Sequence, residues 1–244
     1  MKMKIVAMLV LAMNVAAQAA EPLDVYICAG QSNMQGARTE KGLLPAELQA
    51  VQENVFVFND KTGWEKLAAR EKGFGPEISF AYEMQKALNK PVGIIKHAKG
   101  GTNLAKDWDP SDPNSLYSQL KQKVDAAGKT REIRVDGMIW MQGENDSRYE
   151  EMAKAYAQNL TNFIQTARKD FNSPGMPFVA GRVNPPAAYA FAGWVRKAQE
   201  TCTVAPYSFV DCDDLPKHDD NLHYNTGGQV ELGKRFAQSM KNLK

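Results

Sequence analysis

The sequence predicts an α/β fold: a mainly parallel sheet of five to six strands with helices on both faces. Three observations carry this. Short aliphatic runs alternate along the chain with segments of helical periodicity. Several of those runs end in glycine or small polar residues, where open α/β sheets keep their ligands. The length of 244 residues fits one domain, or at most two small ones, with a sizeable core.

Residues 1–19 are set apart before the fold. MKMK is a basic opening, IVAMLVLAMNVAA an apolar stretch, and AQA at 17–19 a small-residue cleavage site, so this segment reads as a signal peptide. The mature chain would then be a single domain over residues 20–244, periplasmic or extracellular. A membrane anchor fits less well, because the apolar run is short for a bilayer span and Asn14 interrupts it. No other segment is apolar enough to span.

Strands are expected at 24–30 (DVYICAG), 54–59 (NVFVFN), 91–97 (PVGIIKH), 135–142 (VDGMIWMQ), 177–183 (PFVAGRV) and 207–212 (YSFVDC). Helices are expected over about 77–89, 115–128, 148–171, 187–202 and 227–242. The clearest is 148–171, where Met152, Tyr156, Leu160, Phe163, Ile164 and Ala167 recur at three- and four-residue spacing. At the start of the last helix, Thr226 and Gln229 have the spacing of a capping box. DWDPSDPNS at 107–115 is a loop. No repeat or interdomain linker interrupts the pattern.

The formal charge is +2, and losing Lys2 and Lys4 with the leader brings it to zero. Nothing in that balance draws nucleic acid or an acidic membrane. Cys28, Cys202 and Cys212 leave two alternatives in an oxidising compartment: a Cys202–Cys212 bridge, or three free thiols.

Chemistry gathers in four loops. Ser32 follows the first strand in ICAGQSNMQG, and a serine hydroxyl needs a base to become nucleophilic. Asp220 and His223 lie three apart in HDDNLHYN, a spacing at which one turn can bring a carboxylate to one imidazole nitrogen and aim the other at a nucleophile. The alternative for His223 is a solvated loop histidine. In AKGGTNL, after the third strand, adjacent glycines let backbone amides approach a ligand, or simply make a turn. In MQGENDS, Gln142 and Asn145 offer side-chain amides, while Asp146 or Ser147 could cap the next helix. His97, His218 and His223 lack close metal-ligand spacing, so no metal or other cofactor is expected. These are the parts of acyl transfer. Ser32 in GQSNM does not match the G-x-S-x-G nucleophile elbow.

The four blocks, in this order, resemble those of the SGNH (GDSL-like) hydrolases. The longer strings AGQSNMQG, FGPEISFA, KGGTNL, WMQGEND and DNLHYNTGGQVELGKRFA look like carbohydrate esterase family 6, which includes acetylxylan esterases, and the related sialate O-acetylesterase domain. The resemblance runs from about Val25 to Ala237. It implies a three-layer α/β/α, flavodoxin-like sandwich that removes O-acetyl groups from carbohydrate without a metal. It also implies Ser32 as nucleophile, His223 as general base and acid, and Asp220 as its orienter, with Asp219 the backup acid. The implied oxyanion donors are the backbone N–H of Ser32, that of Gly100, and a side-chain amide. The wider superfamily pattern selects Asn145 for that amide and the esterase pattern selects Gln142, which is placed first. Glu144 is either a second acid near the histidine or a structural hydrogen-bond partner.

Lys99, Thr102, Asn103, Lys106 and Asp107 surround these motifs, which suits a small acyl group on a polar body better than a lipid. The expected protein is therefore an exported, monomeric acetylesterase acting on acetylated xylan or a similar glycan, with O-acetylated sialic acid as the nearest alternative. A lysophospholipase or thioesterase of the same superfamily and a non-catalytic sugar-binding protein are the rivals. Trp108 either stacks on a sugar or packs inside, and Trp140 is expected in the core.

Overall fold

The computed structural model describes residues 21–244, so the expected leader over 1–19 lies outside the described residues. The chain runs β1 (Leu23–Gly30), α1 (Ser32–Gln35), α2 (Ala46–Gln49), β2 (Gln52–Asn59), β3 (Gly63–Leu67), α3 (Glu77–Leu88), β4 (Val92–Ala98) and α4 (Leu116–Thr130). It continues through β5 (Ile133–Met141), α5 (Glu150–Asp170), β6 (Phe178–Gly181), α6 (Ala192–Glu200), β7 (Tyr207–Val210) and α7 (Thr226–Asn242).

The strands form one seven-stranded sheet in the order β3-β2-β4-β1-β5-β6-β7. Every pairing is parallel except β2 with β3. The sheet is one strand wider than expected because β3 returns antiparallel along the edge of β2. Its sequence, GWEKL, has only Trp64 and Leu67 as large apolar residues. An edge strand with one exposed side needs no more, and so it lacks the aliphatic run that marks a buried parallel strand.

Side-chain alternation sends β1 and β5 residues to two helical layers. On one face Tyr26 meets Phe80 of α3 edge to face, at 5.4 Å between ring centroids. On the same face Gly137 makes room for Met240 of α7. On the other face Trp140 packs against Phe163 of α5 at 4.6 Å, and Tyr117 of α4 meets Phe163 at 5.5 Å. Phe163 has no exposed surface, and burying such a side chain is worth about 1.5–3 kcal/mol. Trp108 is fully buried too, 5.0 Å from Trp140 and donating through Nε1 to Thr102. It is core, and the sugar-stacking alternative falls.

Two expected helix starts differ. α6 begins at Ala192 rather than near 187, because the backbone from Pro186 to Phe191 is spent on successive tight turns before the helix closes. At α7 the cap is Asn225, whose side chain accepts from Gly228 N. The Thr226–Gln229 capping box does not form: Thr226 Oγ1 accepts from Glu40 N and Gln229 Nε2 donates to Asn33 O. Asp146 and Ser147 likewise do not cap α5, which starts after Tyr149 without a side-chain cap.

All three cysteines are free, with Cys28 and Cys212 fully buried. Burial pushes the Cys212 thiol up to about 12 and Cys28 well above its ordinary value, so neither presents a thiolate at neutral pH. The folded protein should therefore react with a thiol reagent at Cys202 only, and release three equivalents once unfolded. A count of one after unfolding would reveal a bridge.

Candidate active site

Strand order reverses about β1, with β4 on one side and β5 on the other, so the loops leaving β1, β4 and β5 converge at one carboxyl edge. A crevice at this point is the usual ligand position in open α/β sheets. The loops are bound to one another at their roots: Gln31 N–H donates to Met141 O at 2.9 Å, and Lys99 N–H donates to Gly30 O at 3.1 Å. Gly30 lets β1 press this close. Its φ is +148°, and a Cβ there would lie 2.1 Å from Met141 O.

Ser32 opens α1 immediately after this junction. Its Oγ is 3.0 Å from Nε2 of His223, and Nδ1 of His223 is 2.8 Å from Oδ2 of Asp220. A carboxylate only accepts, so Nδ1 carries the proton and Nε2 is left to accept from the serine hydroxyl. The other oxygen of Asp220 accepts from the backbone N–H groups of Leu222 and His223, both at 2.9 Å. Burial opposes ionisation of Asp220, but the hydrogen bonds from His223 and Leu222 outweigh it and hold the carboxyl well below the usual carboxylate range. Arg38 adds an exposed ion pair at 3.1 Å. Asp219 is exposed, and it is Asp220 that reaches the imidazole.

Gly100 lies beside the serine. A Cβ at this position would sit in ordinary contact, 3.4 Å from Ser32 Cβ. The Gly100 N–H donates to Gln35 Oε1 at 3.1 Å. The Ser32 N–H belongs to the first turn of α1, where backbone amides have no intrahelical acceptor.

The two side-chain amides separate. Gln142 is fully buried, and its Nε2 donates both to Thr102 O at 2.9 Å and to Asp146 Oδ2 at 2.6 Å. Both amide protons are thus committed to tying the β4 and β5 loops together. This corrects the expectation that placed Gln142 first as an oxyanion donor. Asp146 completes the tie by accepting from Leu104 N and Ala105 N, and burial pushes its carboxyl up to about 6 despite those bonds. Asn145 is half-buried and gives one proton to Gly101 O at 3.1 Å, which leaves its second free.

The sequence family described as carbohydrate esterase, sialic acid-specific acetylesterase, matches residues 22–242. The chain belongs to this family. It is a carboxylic ester hydrolase of the carbohydrate esterase type. A probable carbohydrate esterase of Arabidopsis thaliana is 27% identical over 241 residues, covering 89% of this chain and 90% of the relative. An Arabidopsis thaliana crystal structure superposes with a TM-score of 0.81 at 25% identity, covering 92% of this chain and all of that one. A carbohydrate acetylesterase from Xanthomonas citri shares the fold, with a TM-score of 0.70 and 21% identity over 90% of this chain and 56% of its own. So does a lipase/acylhydrolase from Enterococcus faecalis, at 0.54 and 11% over 91% of this chain and 97% of its own. The SGNH-type sandwich expected from the motifs is therefore the fold of this esterase.

One part of the esterase's site carried little signal in sequence. Glu144 is buried and makes no hydrogen bond to His223; its Oε1 accepts from Asn33 Nδ2 at 2.8 Å. Asn33 Nδ2 also donates to Leu222 O at 3.1 Å, and Asn33 Oδ1 accepts from Tyr224 N at 3.1 Å. One buried amide therefore grips the backbone on both sides of His223. The available clue was an asparagine beside the serine, in a short helix whose neighbouring Met34 is buried. Burial raises the Glu144 carboxyl, while the Asn33 hydrogen bond and the nearby Lys217 ammonium pull it back.

Proposed function

We propose that this esterase removes O-acetyl groups from carbohydrate by nucleophilic catalysis at Ser32. The observation that carries the reading is the continuous chain Ser32 Oγ, His223 Nε2, His223 Nδ1, Asp220 Oδ2, with links of 3.0 and 2.8 Å. Ser32 Oγ attacks the acetyl carbonyl as its proton passes to Nε2, while Asp220 stabilises the imidazolium. The developing oxyanion takes hydrogen bonds from the N–H groups of Ser32 and Gly100 and from the second amide proton of Asn145. Exposed Gln35 gives up its bond to Gly100 as the carbonyl enters. Collapse breaks the ester bond, and the sugar oxygen leaves with the proton from Nε2. Water, deprotonated by the same nitrogen, then releases acetate from Ser32.

Acetylated xylan and O-acetylated sialic acid are the two substrate candidates. The family description supports the second and the motif strings support both. The basic-apolar leader ending in AQA supports export.

The test is acetate release by the mature chain from acetylated xylan, O-acetylated sialic acid and a series of p-nitrophenyl esters, with Ser32→Ala as control. Activity on one or both sugars is expected, and on p-nitrophenyl esters a rate that collapses beyond acetate. Rates that climb with acyl length would make the protein a lipid or thioester hydrolase instead.

A further inference from the structure

Beside the nucleophile, and lined apart from Gln35 by residues not yet given a role, lies a cavity of about 600 Å³. It is enclosed by the β2–β3 hairpin, the end of β4 and the segment from Ala68 to Phe74. Its wall towards the ester centre is Gln35, the residue whose Oε1 holds Gly100 N–H one contact away from Ser32. The volume falls in the range of small-molecule sites and far exceeds what an acetyl group fills.

The lining is charged and already ordered. Lys96 pairs with Glu77 at 2.7 Å and Lys123 with Asp60 at 3.0 Å, which fixes two cations and two carboxylates in the wall. Arg70 also lines the cavity, is exposed, and makes no ion pair or side-chain hydrogen bond among the described residues. The Asn59 side-chain Oδ1 accepts from Lys61 N, leaving the side-chain N–H₂ free among the described residues. An acyl chain entering here would strip water from these groups and return no hydrogen bonds, a loss of kilocalories for each buried polar group. Sugar hydroxyls both donate and accept, so they can replace that water.

We infer that this cavity binds the sugar rings of the acetylated glycan, with Arg70 and Asn59 as hydrogen-bonding groups and Gln35 as the wall between ring and ester. The inference rests on the proposed esterase reading and adds where the non-reacting part of the substrate sits. Binding energy from that part is what separates a glycan ester from a simple acetate ester.

Two variants test it: Arg70→Ala, and Ala68→Trp, which fills the cavity from an exposed position and spares the core. Each is assayed on acetylated xylo-oligosaccharide, on O-acetylated sialic acid and on p-nitrophenyl acetate. For at least one sugar, KM should rise roughly tenfold with kcat little changed, as for loss of hydrogen bonds to a charged group, while p-nitrophenyl acetate turnover stays at the wild-type level. The sugar that responds identifies the glycan. Unchanged KM on both sugars overturns the cavity assignment and leaves the esterase reading standing, as does a parallel fall on p-nitrophenyl acetate. No Ser32-dependent hydrolysis of any ester by the wild type overturns both.

Discussion

Ser32→Ala is expected to lower kcat for acetyl-ester hydrolysis by about 10⁴–10⁶-fold, and His223→Ala by a comparable factor. The double variant should be scarcely worse than either single one. A nucleophile and its base act as a unit: without the imidazole the hydroxyl stays protonated, and without the hydroxyl the imidazole has no proton to take. What survives is the contribution of binding and of the amides around the oxyanion, roughly 10³–10⁴ over water in the serine protease template. Asp220→Asn should also fall by about 10⁴, because an amide at 2.8 Å from Nδ1 favours the wrong tautomer.

The same geometry predicts the acid limb of the rate profile. Asp220 is held well below the usual carboxylate range. Its charge, and the stability that charge contributes, are thus in place above the ordinary carboxylate range and lost only as pH falls through the depressed value. Between neutrality and mild acid Asp220 does not change state. Loss of kcat/KM in that range should then not come from protonation of Asp220. An Asp220 protonation detected between neutrality and mild acid would overturn the hydrogen-bonded carboxylate described here.

The parts legible in sequence were those whose chemistry is local. The central parallel strands β1, β4, β5 and β6 announced themselves because a strand buried on both faces needs an unbroken aliphatic run, and α5 because one face of 21 residues is apolar. Asp220 and His223 were readable because three residues of turn determine their meeting. β3 was missed for the opposite reason: only its pairing with β2 makes GWEKL a strand. Gln142 and Asn145 are the sharper case. Both offer an amide in one loop, and only the position of Thr102 and Asp146 decides that Gln142 spends its protons on structure. Side-chain identity gives the inventory of donors, but their availability depends on neighbours that can lie as far as 40 residues away, as Thr102 does from Gln142.

The second large effect lies in a residue that touches no substrate. Asn33→Ala should lower kcat by about 10²-fold, the order expected when a catalytic group is displaced by 1 Å. KM should change little, and stability should fall by about 1–3 kcal/mol from the buried partners left without hydrogen bonds. Three bonds vanish together: from Asn33 Nδ2 to Glu144 and to Leu222 O, and from Tyr224 N to Asn33 Oδ1. The last two flank His223, so their loss displaces the imidazole through its own backbone. Glu144→Gln separates this holding role from that of a second acid. Glutamine Oε1 can still accept from Asn33, so most activity should remain, whereas an acid that supports the imidazolium could not be replaced by an amide without a loss approaching that of Asp220→Asn. Stability offers an independent reading with a definite sign. Burial raises the Glu144 carboxyl, so the folded state holds that proton more tightly than the unfolded chain. The wild type therefore loses stability as pH rises through the raised value, and the variant, with no proton to lose, does not. Thermal midpoints compared from about pH 5 to about pH 9 should show Glu144→Gln gaining on the wild type towards the alkaline end. If the gap stays constant while activity collapses, Glu144 acts on His223 by charge, and the grip of Asn33 on the loop is not what it supplies.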